Sequence, residues 1–342
     1  MIHLWVIWVV YFSGFLQKKR HMSRLHAFWF LFFFGLVLIG CRQNNPSDSG
    51  TGIEEPTTLP DSSDRHPNAM VITDGELPGL MVPGSRLMPM ISAHRGGRDI
   101  PGFPENSLEV FAYTLERTPA MLECDVNVAG DGTLLLMHDN SLDRTTTGTG
   151  IVQETPWSAM KDLFLVDDQG TVTEFRIPTF AEALEFAKGK ALLSVDVKRG
   201  VDFAQVVQLI EEKDMVDYVV VITYNTEDAE TIHKLNQDLM ISVSIRNQEE
   251  WQRMKNAEVP FDRMVAFTGT RLSTQALFDT LHAYDIPAIL GTLGNLDQRV
   301  AARGDSLYLE YLDLGADILA TDRPVEAGAV LRGRSIRRID GE

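Results

Sequence analysis

The chain is predicted to fold as an α/β protein, a TIM-type (β/α)8 barrel with an insertion after the second strand. Three observations carry this prediction: eight short β-rich runs, amphipathic helical segments between them, and one long break in that rhythm after the second run. A hydrophobic content of 44% against 23% charged residues is that of a globular protein, so most of the 342 residues are expected to bury a core.

The expected strands cover residues 90–94, 121–128, 192–198, 219–223, 241–245, 264–268, 288–291 and 317–321. Several are nearly continuous Val, Ile, Leu and Met, as parallel strands covered on both faces require. Helices are expected at 107–117, 180–188, 202–213, 229–236, 249–257, 274–284 and 306–314. The first shows the pattern best: Leu108, Phe111, Ala112 and Leu115 share one stripe, and Ser107 is placed to cap the helix. The break runs from His138 to Pro178, giving an insertion at about 139–178. So long a connection in a barrel points to function. The barrel as a whole is expected over 87–332, with a tail at 333–342.

The N-terminus is expected to be an address. Residues 26–40 form an apolar run too short for a comfortable membrane span, preceded by Lys18, Lys19, Arg20 and Arg24. The run ends in Leu38-Ile39-Gly40-Cys41, which resembles the bacterial lipobox, so 1–40 reads as a signal peptide and Cys41 as the lipidated residue. Met22 is the expected start, with 1–21 an artefact of the gene start. Residues 41–86, whose first part is rich in Ser, Thr, Asn, Pro and Asp, are expected to be a flexible tether. The protein would be exported and lipid-anchored to a bacterial membrane, on its periplasmic or cell-surface side.

Charge narrows the partners. The chain carries −17, and setting aside the four basic residues of the leader leaves 27 basic against 48 acidic. Nucleic acid is therefore not an expected partner. With only Cys41 and Cys124 there is no disulfide framework and no cysteine-based zinc site. Cys124, in an apolar run, is expected to pack as a small hydrophobe.

Chemistry in such a barrel sits at the C-terminal ends of the strands. The first strand ends in His94-Arg95-Gly96-Gly97; the second contains Glu123-Cys124-Asp125; a short apolar run delivers His138-Asp139; the third strand carries Asp196 and Lys198. Alternation in a strand puts Glu123 with Asp125, and Asp196 with Lys198, on common faces. Three confined carboxylates call for a cation, and oxygen ligands favour Ca²⁺ or Mg²⁺. His94 and His138 suit proton transfer near neutrality. Arg95 and Lys198 add fixed positive charge. Together these residues suit metal-assisted cleavage of a phosphodiester.

The same residues carry a resemblance. Ser92-Ala93-His94-Arg95-Gly96-Gly97, Pro104-Glu105-Asn106-Ser107, Glu123-Cys124-Asp125, His138-Asp139 with Leu142-Asp143-Arg144-Thr145-Thr146, and the closing Gly315-Ala316-Asp317-Ile318 and Thr321-Asp322-Arg323-Pro324 look like the signature series of glycerophosphodiester phosphodiesterases. It spans about residues 90–330. The resemblance implies His94 and His138 as the acid–base pair, Glu105, Glu123 and Asp125 in or beside the metal site, Arg95 and Lys198 on the phosphate, and an insertion capping the barrel mouth. The implied products are an alcohol and glycerol 3-phosphate. Two departures stand out: Asp196 where the family usually has Glu, and Leu290-Gly291-Thr292 where many members have Trp-Thr.

Other residues have blander expectations. Asp322 reads as a turn residue holding the last loop, Asp143-Arg144 as a local ion pair fixing the insertion, and His233 and His282 as surface or packing histidines. Two other functions remain open: phospholipase D-like or cyclising cleavage of lysophospholipids, and binding of a phosphorylated ligand without turnover.

Overall fold

The structure, a computed structural model, describes residues 68–339. The expected signal peptide, Cys41 and most of the tether lie outside the described residues.

Strands are β1 (Met90–Ala93), β2 (Met121–Val128), β3 (Leu134–Leu136), β4 (Phe164–Val166), β5 (Val172–Arg176), β6 (Leu193–Val197), β7 (Val219–Thr223), β8 (Met240–Ser244), β9 (Met264–Phe267), β10 (Ala288–Gly291) and β11 (Ile318–Thr321). Helices are α1 (Leu77–Leu80), α2 (Leu108–Arg117), α3 (Trp157–Met160), α4 (Phe180–Ala187), α5 (Phe203–Glu212), α6 (Thr226–Leu235), α7 (Gln248–Lys255), α8 (Gln275–His282), α9 (Asn295–Arg303), α10 (Leu307–Asp313) and α11 (Pro324–Ile339). Eight strands pair in parallel in the order β1-β11-β10-β9-β8-β7-β6-β2, and β1 pairing with β2 closes the ring. This is the predicted (β/α)8 barrel.

Strand alternation sorts the core. Leu122, Cys124 and Val126 of β2 and Leu193 and Val195 of β6 point outward, into the layer shared with Phe111, Phe180, Trp251, Phe278 and Tyr308. Cys124 thus packs as a small hydrophobe. Their sequence neighbours turn into the ring. The lowest interior layer is apolar, formed by Met90, Met121, Leu192, Val220, Met240, Val265, Ile289 and Ile318. One residue pair higher, bulky filling stops: Ser92, Ser194, Ser242 and Ala320 stand where barrels usually carry branched side chains, and they line a cavity of about 250 Å³ at the C-terminal mouth.

Three boundaries differ from expectation. Residues 70–81 do not continue the tether: Met70, Ile72, Leu77, Leu80 and Met81 are buried against the apolar layer at the opposite end of the ring. These five apolar side chains sit in a stretch whose Gly, Pro and Thr content hides them from a compositional reading. At the other end α11 runs to Ile339, so residues 333–339 continue a helix. The helix α9 was not expected, because its sequence is mostly polar; it buries Leu296, Asp297 and Val300.

The insertion has its own small core. β3 adds antiparallel to β2, β4 and β5 form a hairpin, and Ala129, Leu135, Met137, Leu142, Val152, Met160, Leu165 and Ile177 pack together.

Candidate active site

Alternation along β2 and β6 brings Glu123, Asp125 and Asp196 to the same cavity. Each offers a carboxylate oxygen, and these lie within 4.8 Å of one another. All three are buried. Burial and the charge of Asp125 push the Glu123 carboxyl well up. Burial acts the same way on Asp125, but Lys198 and Arg95 outweigh it and hold that carboxyl below its ordinary range. Asp196 Oδ1 is buried with no hydrogen-bond partner. Crowded acids, one of them orphaned on one oxygen, fit a bound hard cation. The residues present therefore suit the divalent ion expected from the sequence.

Lys198 Nζ lies 2.6 Å from Asp125 Oδ1 and donates to Asp196 Oδ2 at 2.7 Å. Arg95 sits in the left-handed region, φ 53°, immediately after His94. That twist lets its backbone N–H donate to Glu123 Oε2 at 2.7 Å, while its guanidinium lies 3.2 Å from Asp125 Oδ2. Asn106 braces the second strand from the side: its amide donates to Asp125 Oδ2 at 2.7 Å and its carbonyl accepts the Asp125 N–H at 3.0 Å.

Glu105 takes a different place from the one expected. Its carboxylate is not among the converging oxygens; it accepts from Arg95 Nη1 at 2.9 Å and from Arg144 at 2.8 and 3.0 Å, and Arg98 Nε lies at 3.4 Å. Three guanidiniums claim its charge, which suits an anchor for arginines more than a metal ligand.

Both histidines line the cavity. His94 Nδ1 lies 2.6 Å from Asp322 Oδ1, and His138 Nδ1 lies 2.7 Å from Asp139 Oδ1. A carboxylate only accepts, so each Nδ1 carries the proton and each Nε2 is left to exchange one. Burial disfavours charge on His94, but the Asp322 hydrogen bond and the charge of Glu123 prevail and raise its pKa. Asp322 is thus more than a turn residue. Its Oδ2 accepts the Gly294 N–H at 3.0 Å, and its own N–H donates to buried Asp297 at 2.8 Å.

The expected Asp143–Arg144 pair does not form: Asp143 accepts the Gly150 N–H, and Arg144 turns to Asp139 and Glu105. His282 pairs with Asp317 at 2.9 Å, at the end of β11 away from the cavity. The other half of the cavity wall is apolar, with Ile222, Phe267, Ile289 and Leu293, and the rim carries Tyr224, 61% exposed. Phe267 fills the space above β10: a Cβ on Gly291 would come within 3.0 Å of its ring. An aromatic from β9 therefore stands beside the Leu290-Gly291-Thr292 departure.

Barrel and site together define a class: a (β/α)8 barrel whose mouth sets a carboxylate triad between two oriented imidazoles. The profile of the Glycerophosphoryl diester phosphodiesterase family matches residues 94–325, and the chain belongs to that family. A glycerophosphodiester phosphodiesterase from Caldanaerobacter subterraneus is 28% identical over 161 residues, 45% of this chain and 65% of that relative's length. The match thus spans just under two-thirds of the relative. The crystal structure of a glycerophosphoryl diester phosphodiesterase from Parabacteroides distasonis superposes with a TM-score of 0.71 at 29% identity, covering 78% of this chain and 94% of that one. A phosphodiesterase from Oleispira antarctica, in complex with the product sn-glycerol-3-phosphate, shares the fold at a TM-score of 0.57 and 20% identity, covering 72% and 98%.

Proposed function

We propose that the protein hydrolyses glycerophosphodiesters to an alcohol and glycerol 3-phosphate, with a divalent cation held by Glu123, Asp125 and Asp196. The observation that carries this reading is the pairing of each imidazole with its own carboxylate beside the triad, in one cavity. Family membership and the product-bound fold neighbour support the substrate class. When bound, the cation would neutralise charge on phosphoryl oxygens and polarise the phosphorus toward attack. Arg95 and Lys198 line the same wall and supply fixed positive charge to the phosphate. One imidazole takes a proton from the attacking water at Nε2, and the other gives one to the departing alcohol oxygen.

Phosphorus NMR of glycerophosphocholine turnover decides the bond cleaved. Glycerol 3-phosphate is the expected product; choline phosphate as the sole product would rule the reading out. His94→Ala and His138→Ala are each expected to lower kcat about 10²–10⁴-fold while the protein stays folded. Wild-type turnover in either variant would remove its acid–base role. A second reading rests on the apolar wall of Ile222, Phe267, Ile289 and Leu293, which suits the acyl arm of a lysophospholipid; a cyclic phosphate formed from lysophosphatidylcholine in the same kind of spectra would favour it.

Export and anchoring through Cys41 belong to the proposal as well, supported by the leader and its lipobox-like end. Cys41→Ser should abolish labelling by radioactive fatty acid. Among the described residues no helix is long and apolar enough to cross a membrane.

A further inference from the structure

Arg144 lies in the insertion, is 43% exposed along its side chain, and does not line the cavity. An exposed ion pair of ordinary geometry would contribute little. Its geometry is not ordinary. Nε donates to Asp139 Oδ2 at 2.6 Å and Nη2 to Asp139 Oδ1 at 2.9 Å. On the other edge, Nη1 donates to Glu105 Oε2 at 3.0 Å and Nη2 to Glu105 Oε1 at 2.8 Å. One planar fork therefore grips two carboxylates, each through two bonds.

The two carboxylates belong to different parts of the fold. Glu105 stands in the loop between β1 and α2, its side chain 3% exposed, and is tied to the barrel by Arg95 Nη1 at 2.9 Å. Asp139 opens the insertion, and its Oδ1 also accepts from His138 Nδ1 at 2.7 Å. The Arg144 bonds hold the Asp139 carboxyl far below its ordinary range, so it stays a pure acceptor for the imidazole. The other imidazole has no such dependence: Asp322 is held by the Gly294 N–H and does not touch Arg144.

We propose that Arg144 is a positioning residue for His138, pinning Asp139 to buried Glu105 so that the imidazole presents Nε2 to the cavity. The assignment rests on the proposed hydrolysis only for its kinetic arm. Loss of an outer partner of this kind lowers activity about 10–100-fold.

The test uses the full-length protein and glycerophosphocholine with added Mg²⁺ or Ca²⁺. Arg144→Gln is expected to lower kcat within that range and to move KM less than about threefold. Arg144→Gln combined with Asp139→Asn should be no slower than Asp139→Asn alone, because both act through one imidazole. Combined with Asp322→Asn, the losses should multiply. Wild-type kcat in Arg144→Gln, or multiplied losses with Asp139→Asn, would overturn the assignment.

A second arm needs no turnover. The low-field proton resonance of His138 Nδ1, identified by its disappearance in His138→Gln, should also vanish in Arg144→Lys, which keeps the charge but lacks the fork. Its persistence there would overturn the assignment too. Absence of wild-type turnover on every glycerophosphodiester would sink the hydrolase reading and leave this arm to decide the role of Arg144.

Discussion

Carboxylate–histidine pairs occur three times among the described residues, and their surroundings separate their roles. His94 with Asp322 and His138 with Asp139 face the cavity, whereas His282 with Asp317 joins α8 to the far end of β11. The Asp317 hydrogen bond raises the His282 pKa above its ordinary 6.5. A raised folded-state pKa adds stability that is full below the unfolded value and is lost as pH rises through the folded one. The wild type should therefore lead His282→Gln in urea midpoint at pH 6 by more than it does at pH 8.5. An equal lead at both pH values would show that the pair contributes no charge-dependent stability.

Among the elements, the turn after β1 is the most constrained. Gly96 has φ +87°, and a Cβ there would lie 2.5 Å from Val110 Cγ1 and 2.6 Å from the Phe111 ring. That close approach seats α2 against the turn carrying His94 and Arg95. Gly96→Ala is expected to cost about 2 kcal/mol or more and to lower kcat by displacing His94; a midpoint within one degree of wild type would contradict this. All eight barrel strands were readable from sequence, because parallel strands buried on both faces leave Val, Ile and Leu runs. Alternation likewise put Glu123 with Asp125, and Asp196 with Lys198, on common faces. Partners set by long-range geometry were not readable. Asp322 meets His94 across 228 residues of chain, and nothing local marks it as more than a turn residue. Arg144 has an acid beside it in sequence, which hid the fork to Asp139 and Glu105. Glu105 shares its loop with Arg95 and Arg98, yet its third arginine partner, Arg144, comes from the insertion 39 residues further on.

At the scale of the whole molecule, the ring is closed at one end by apolar packing and opened at the other by small side chains. Residues 70–81 cover the lower layer, and Leu77 is 1% exposed there. Leu77→Ala should cost about 2–5 kcal/mol by urea unfolding while leaving KM unchanged, since the mouth lies at the other end. A cost below about 0.5 kcal/mol, the level of a surface change, would mean that the segment does not seal the barrel.

At the mouth, the serines of the second layer give the carboxylate triad its room, and Arg95 and Lys198 set positive charge beside it. The central claim is that the triad holds a divalent ion required for release of glycerol 3-phosphate. The most direct measurement is that release from glycerophosphocholine by the full-length protein, before and after chelation and on adding back Ca²⁺ or Mg²⁺, in wild type and in Asp125→Asn. Activity should vanish with chelator, return with the ion in the wild type, and stay absent in the variant. Turnover that persists undiminished in chelator, or that Asp125→Asn retains in full, would contradict it.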